Sequence, residues 1–311
     1  MWWQHQRWLP VDQVTLLLQG LWRLLVAALA CTSLSVGAQD ESGPTLSKIA
    51  AQGRFYIGYR EVAAPFTFAI PGKTEPVGYL WDVCRQVVVA LEARLGKPLE
   101  IVPVAVTDNS RTMLIKNNVV DLDCGGAANT VAREKQVTLS NTVYVSEIKV
   151  LVRSDSDIAS VEQLAGKRVV TVTGGSERQI KRMALEKGVV LLNQLAYSPV
   201  EAMALLSGGK TDAFVAEDAT LSMQRAGKAD FRLLDVILAT EPQALMLPLG
   251  DQSFKKLVDD VLVSLMVSGE LARLYDKWFL LPIPPDGVSL DQPMSAALKA
   301  AIRTPDDTPV N

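Results

Sequence analysis

The sequence predicts an α/β fold made of two lobes, and three observations predict it. From about residue 46 onward, short β-rich runs alternate with helical runs, the pattern of helices layered on a largely parallel sheet. A second run of the same kind starts near Lys149. No Gly/Ser-rich tether separates the two runs, so lobes joined by strands move only as a hinge.

The elements follow in order. Residues 55–59 alternate as a strand, and 80–95 form a helix with Val83, Val87, Leu91 and Leu95 at spacing four on one face. Residues 99–106 are the next strand, 110–116 a short helix, and 119–122 a strand that runs into Cys124, Gly125 and Gly126. In the second run, Ser160 with Gln163 reads as a capping box, and the strand 168–173 enters Gly174, Gly175 and Ser176 and a helix that ends before Gly188. Ser198 is an N-cap, Pro199 fits the first helical position, and Glu201 completes a second box. Residues 211–216, 231–238 and 243–247 are further strands. A long helix over 253–268 can stop at Gly269, and an amphipathic helix over 270–279 precedes Pro282.

The 311 residues are 49% hydrophobic and 21% charged, ordinary for globular protein. A net charge of -3 gives no basic footprint for nucleic acid. The N-terminal stretch differs: Arg23 precedes an apolar run over 24–30, and small residues end at Ala38. Charge, apolar core and small residues in that order make a secretory signal, with cleavage expected after Ala38. The apolar run falls short of the roughly 20 residues of a spanning helix. Residues 28–31 faintly resemble a lipoprotein signal ending at Cys31; the cleavable signal is the reading taken. The other two cysteines, Cys84 and Cys124, are read as buried free thiols, since sequence alone does not show whether they come within bridging reach.

An ordered set of motifs then points to one family. They are Gly58-Tyr59-Arg60-Glu61 with Pro65-Phe66, Val77-Gly78-Tyr79, Asn109-Ser110-Arg111, Asp123-Cys124-Gly125, the stretch from Asn129 to Gln136 with Arg133, Phe254 to Leu257, and Tyr275 to Phe279 with Pro282 to Pro285. With them the chain resembles the periplasmic amino-acid-binding proteins of ABC importers, most of all their glutamate/aspartate-binding branch. The resemblance implies the α/β, two-lobed periplasmic-binding-protein fold, with the ligand in a cleft between lobes joined by hinge strands. Residues 1–38 would be the signal peptide, 39–147 with 241–311 the first lobe, and 148–240 the second. The chain would act in the periplasm as a monomer that hands an amino acid to a membrane permease. It would need no cofactor, metal or nucleic acid.

Site residues follow from the resemblance and from the ligand's charges. Removing a carboxylate and an ammonium from water is costly unless each is answered. From spacing alone Arg133 reads as a surface arginine paired with Glu134 or Asp123; the resemblance makes it the clamp on the α-carboxylate, whose planar fork lysine lacks. Thr173, Gly175 and Ser176 would approach that anion from the second lobe, with free N–H groups at a helix start. Arg60 and Arg111 match positions that hold a side-chain carboxylate; solvated surface arginines fit the sequence too. If both face the cleft unanswered, their charge selects an acidic ligand. The chain departs from the family pattern at Gly126 and Ala128, where hydroxyl residues are expected, at Ser198 in place of histidine, and at Glu217 in place of aspartate, with Asp218 adjacent. Losing two hydroxyls leaves backbone carbonyls as acceptors and weakens binding by about 1 kcal/mol per lost bond.

A binding protein with no catalytic residues is the reading taken. The alternative is a dehydratase of the cyclohexadienyl type on the same fold, with Glu217 as general acid.

Overall fold

The computed structural model describes residues 43–172 and 175–310. The expected signal peptide, Cys31 and Thr173 lie outside the described residues. The described part is one compact unit. Among the described residues no helix is long and apolar enough to cross a membrane.

The chain opens with α1 (Gly43–Gln52), β1 (Arg54–Tyr59) and a small hairpin of β2 (Val62–Ala63) and β3 (Thr67–Phe68). Next comes α2 (Tyr79–Leu95), whose residues Val83, Val87 and Leu91 are fully buried along one stripe. Gly96 ends it in the left-handed conformation, with its N–H on Glu92 O. Gly78, at φ 138°, precedes α2; a Cβ there would run into Phe66 O, so no other residue fits.

Then follow β4 (Glu100–Ala105), α3 (Arg111–Lys116), β5 (Leu122–Ala128), the single turn α4 (Val131–Glu134), β6 (Thr138–Leu139) and β7 (Tyr144–Arg153). The second run holds a 3-10 turn (Glu162–Leu164), β8 (Arg168–Val172), α5 (Gly175–Lys187), β9 (Leu192–Ala196), α6 (Pro199–Ser207), β10 (Ala213–Glu217), α7 (Asp218–Arg225) and β11 (Phe231–Leu233). The chain returns through β12 (Ala239–Leu247) to α8 (Gln252–Val267), α9 (Glu270–Phe279) and α10 (Ala296–Arg303).

One sheet runs β4-β1-β5-β12-β7-β10-β8-β9. Its outer strands are parallel, as β1 is to β4 and β5 and β8 is to β10 and β9; the central β12 and β7 are antiparallel. Those two strands carry the chain between the halves, with Ile148 opposite Ala239 and Glu147 opposite Thr240. Apolar residues separate accordingly. Phe55, Leu80, Val87, Phe254 and Trp278 share one core, and Val106, Ile115, Ala244 and Met246 fill the opposite face. Along β7, Ile148, Val150 and Val152 face one core of the second half and Leu151 the other, the period-two alternation of a strand buried on both sides. Ala219 of α7 crosses over into the first core.

Three predicted spans change most, while the strand expected at 211–216 shifts to Ala213–Glu217. Residues 119–121 are a turn, so the strand starts at Leu122. The strand at 231–238 pairs regularly only over Phe231–Leu233, after which Leu234 and Leu238 keep single hydrogen bonds to Val150 and Ile148. The strand expected at 243–247 begins at Ala239, because its partner β7 extends that far. Of the box expected at Ser160 only one half forms: Gln163 Oε1 accepts from the N–H groups of Ala159 and Ser160, and the 3-10 turn has no side-chain cap.

Cys84 and Cys124 form a disulfide, which corrects the expectation of free thiols. The cause is tertiary: α2 lies over β5 and brings the two Cα atoms to 6.5 Å, inside bridging range. Loop-closure entropy over the 40-residue separation puts the bridge near 4 kcal/mol. A Cys84→Ala/Cys124→Ala variant is expected to lose about 2–4 kcal/mol in urea unfolding; an unchanged midpoint would show that the bridge does not constrain the chain.

The C-terminal residues beyond α10 lie against the β5–α4 turn. Val310 exchanges backbone hydrogen bonds with Asn129 (2.9 Å) and Val131 (3.1 Å), Asp307 O accepts from buried Asn129 Nδ2 (2.6 Å), and Asp306 O accepts from Thr142 N (2.9 Å). Truncation after Arg303 strands these buried donors and is expected to reduce stability by about 2–4 kcal/mol in a denaturant titration. No change would mean that solvent replaces the strap freely.

Candidate ligand-binding cleft

Parallel strands present their C-terminal ends together, and the loops beyond them are where α/β sheets build sites. Arg60 directly follows β1, Arg111 opens α3, Ala128 ends β5, and Arg133 sits in α4, capped by Thr130, whose Oγ1 accepts from Arg133 N at 3.3 Å. From the other half come Glu217 at the end of β10 and Gly175 and Ser176 at the start of α5.

Arg111 is almost fully buried. Its Nη1 donates to Gly126 O at 2.7 Å and lies 3.7 Å from Asp123 Oδ2, and its Nη2 lies 3.2 Å from Asp108 Oδ1. Arg60 Nη2 reaches the other oxygen of Asp108 at 3.0 Å. Gly125 lets the Arg60 stem pass, since a Cβ there would sit 3.0 Å from Arg60 Cγ. The two arginines are brought together on Asp108, and neither is unanswered. The surplus positive charge expected of Arg60 and Arg111 is reduced: Asp108, three residues before Arg111 in a turn, bridges both, and Asp123 stands beside Arg111. Burial raises the Asp123 carboxyl pKa, opposed by Arg111, the Gly125 N–H and Arg60.

Arg133 is half-buried and, among the described residues, makes no ion pair with Glu134 or Asp123; its Nη1 donates to Ala128 O. Burial and the neighbouring Arg111 charge lower its pKa, while Asp108, Asp123 and Glu241 act in the opposite direction. A cation held this way can answer an anion. The carbonyls at Gly126 and Ala128, expected to serve as ligand acceptors, are taken by Arg111 and Arg133. Gly126 itself sits at φ 68° with Leu80 Cδ1 3.0 Å from where a Cβ would be, which disfavours a hydroxyl side chain.

On the facing half, Gly175 lies beside Glu241 of β12, whose Oε2 is 3.4 Å from the position of a Cβ on that glycine. Glu241 Oε1 accepts from Gln179 Nε2 at 2.9 Å. Ser176 is buried in the first turn of α5. Ser198 is the N-cap of α6 and accepts from Glu201 N at 3.2 Å, while Glu201 reaches back to Tyr197 N rather than to Ser198 N. That cap is its described role, and no described contact joins it to the arginines.

Glu217 and Asp218 divide. Asp218 is buried and faces the hinge: Oδ2 accepts from Tyr144 Oη (2.9 Å) and Gln292 Nε2 (2.7 Å), and Oδ1 from Glu147 N (3.3 Å). Burial lifts its carboxyl to about 6, against the hydrogen bonds from Tyr144 and from the backbone of Glu147 and Ala219. Glu217 lies within reach of the charges of Glu241, Asp218 and Arg60, and its carboxyl is pushed up to about 7, first by burial and then by Glu241 and Asp218, against the pull of Arg60. Asp108, Glu241 and Gln179 were not read from the sequence; only Asp108, at i,i+3 from Arg111, left a local signal. Among the described residues no group of acidic, histidine or cysteine side chains is arranged to hold a metal ion.

The family model of bacterial extracellular solute-binding proteins, family 3, matches residues 55–281. The chain is 35% identical to the L-glutamate/L-aspartate-binding protein of Pseudomonas aeruginosa over 294 residues, covering 91% of this chain and 96% of that one. It is 32% identical to the glutamate/aspartate import solute-binding protein of Salmonella typhimurium, covering 93% of this chain and 99% of that one. Among solved structures, the substrate-binding protein of an amino acid ABC transporter aligns with a TM-score of 0.59 at 25% identity, over 73% of this chain and 99% of that one.

Proposed function

The chain belongs to the bacterial extracellular solute-binding proteins of family 3, and from that premise we propose that it captures a dicarboxylic amino acid of the glutamate/aspartate class and hands it to the permease of an ABC importer. The observation that carries the ligand class is the convergence of Arg60, Arg111 and Arg133, whose charges lie close enough to act on one another.

Arg133 holds the α-carboxylate, with the first N–H groups of α5, at Gly175 and Ser176, approaching from the facing lobe. Glu217 meets the ammonium; Asp218 is committed to Tyr144 and Gln292. Arg60 and Arg111 take the second carboxylate. Gly126 and Ala128 shape the cleft through their carbonyls. The lobes are 39–147 with 241–311, and 148–240, a division supported by the separate cores and by the crossing of β7 with β12. Ligand bound to both lobes draws them together about that crossing, and the closed form docks on the permease. The signal over residues 1–38 delivers the chain to the periplasm as a monomer, in preference to lipidation at Cys31.

A thermal-shift screen of amino acids tests this. Saturating glutamate or aspartate is expected to raise the midpoint by about 5 °C or more. A folded protein stabilised by no dicarboxylic amino acid or close analogue contradicts the reading. The dehydratase alternative draws on Glu217, held near neutrality and so able to give up a proton. The relatives are named for binding. Aromatic product on incubation with prephenate or arogenate would put chemistry in the cleft instead.

A further inference from the structure

Asp108 spans the two guanidinium groups assigned above to the ligand's distal carboxylate: Oδ2 sits 3.0 Å from Arg60 Nη2 and Oδ1 3.2 Å from Arg111 Nη2. One carboxylate, bridging two arginines through its two oxygens, is the geometry an incoming carboxylate would adopt. We propose that Asp108 is an internal stand-in for the ligand's second carboxylate, holding its place in the empty cleft and setting how strongly acidic ligands are preferred over their amides. The inference rests on the function proposed above and concerns a residue that reading does not use.

Exposure separates Asp108 from the other acid near Arg111. Its side chain is 61% exposed, while that of Asp123 is fully buried. Asp108 can swing into water, since its bond to partly exposed Arg60 contributes little and buried Arg111 keeps Gly126 O and Asp123 as partners when Asp108 leaves. Asp123 has nowhere to go; it stays and keeps Arg111 partly neutralised in every state. Backbone attachment favours the exchange, since Asp108 lies in the turn before α3, where Thr107 N donates to Ser110 Oγ at 2.9 Å and the chain makes no strand pairing. With Asp108 in place beside Asp123, the two guanidinium charges are balanced and a ligand with an uncharged side chain is not penalised. With Asp108 displaced, the freed pair receives a carboxylate. The residue thus lowers affinity for acids more than for amides.

The test is calorimetric titration of wild-type protein and Asp108→Asn with L-glutamate, L-aspartate, L-glutamine and L-asparagine at low salt. Asparagine keeps the size and removes the charge. The variant is expected to bind the acids about three- to tenfold tighter, with amide affinity unchanged or weaker, so that the acid-to-amide ratio rises. A variant that binds the acids equally or more weakly overturns the stand-in role, because Asp108 would then be an ordinary structural partner or a ligand contact. Wild-type protein that binds none of the four defeats the parent function as well, which separates the two failures. Circular dichroism of both proteins confirms the fold.

Discussion

Arg133→Ala is expected to weaken binding of the amino acid by two to three orders of magnitude while leaving the unliganded fold almost unchanged. The asymmetry comes from its surroundings. Arg133 is half-buried, sits beside the like charge of Arg111, and its described side-chain bond goes to Ala128 O alone. Removing it relieves repulsion in the empty protein, whereas in the complex it leaves a desolvated carboxylate without its partner, a loss of about 2–5 kcal/mol. Arg133→Lys should fall between, because an ammonium keeps the charge and loses the bidentate fork. Glu134→Ala, on the same turn, should change affinity little. Calorimetry beside urea unfolding checks both halves; equal losses of stability and affinity would make Arg133 a structural residue.

Affinity should also climb steeply with pH, and Glu217 gives the sign. Its carboxyl is near 7 in the folded protein, above its ordinary 4.5, so the native state binds a proton that the unfolded chain releases between those values. Stability of the unliganded protein therefore falls as pH rises through that window. The ligand's ammonium needs the carboxylate, so binding expels the proton: affinity should rise by up to about tenfold per unit from pH 5 and level off above about 7. Glu217→Gln removes the proton, flattens the profile, and should stabilise the empty protein at pH 8 by roughly 2–3 kcal/mol. Asp218 titrates near 6 and adds a stability slope of the same sign, which the variant leaves in place. A pH-independent affinity in wild-type protein would remove Glu217 from the ammonium site.

Much of the fold was readable because its elements carry local signatures. The stripe Val83, Val87, Leu91 announced α2, Ser198 with Pro199 announced α6, and Gly269 separated α8 from α9. Elements without such signatures escaped: β9, with a polar and weakly alternating sequence, is a strand because it pairs with β8, and α7 follows β10 without a break that composition would mark. Hinge strands β7 and β12 run as one pair past Pro242, beginning at Ala239, four residues before the strand expected at 243–247.

The cleft divides in the same way. Arg60, Arg111 and Arg133 are brought together by strands distant in sequence, and only their family-like motifs betrayed them. What no motif shows is pairing. Asp108 reaching Arg60, Glu241 standing at the start of α5, and Asp218 turned toward Tyr144 and Gln292 each depend on where a side chain points, across separations that spacing does not encode. The disulfide belongs with these, since α2 over β5 sets it.

Calorimetric competition between L-glutamate or L-aspartate and the matching amide, on wild-type protein at pH 7.5, tests the central claim most directly. The arginine cluster predicts that the acid binds more tightly and displaces the amide. An amide that binds more tightly, or a folded protein that gives no heat with either acid, would contradict the account of the cleft.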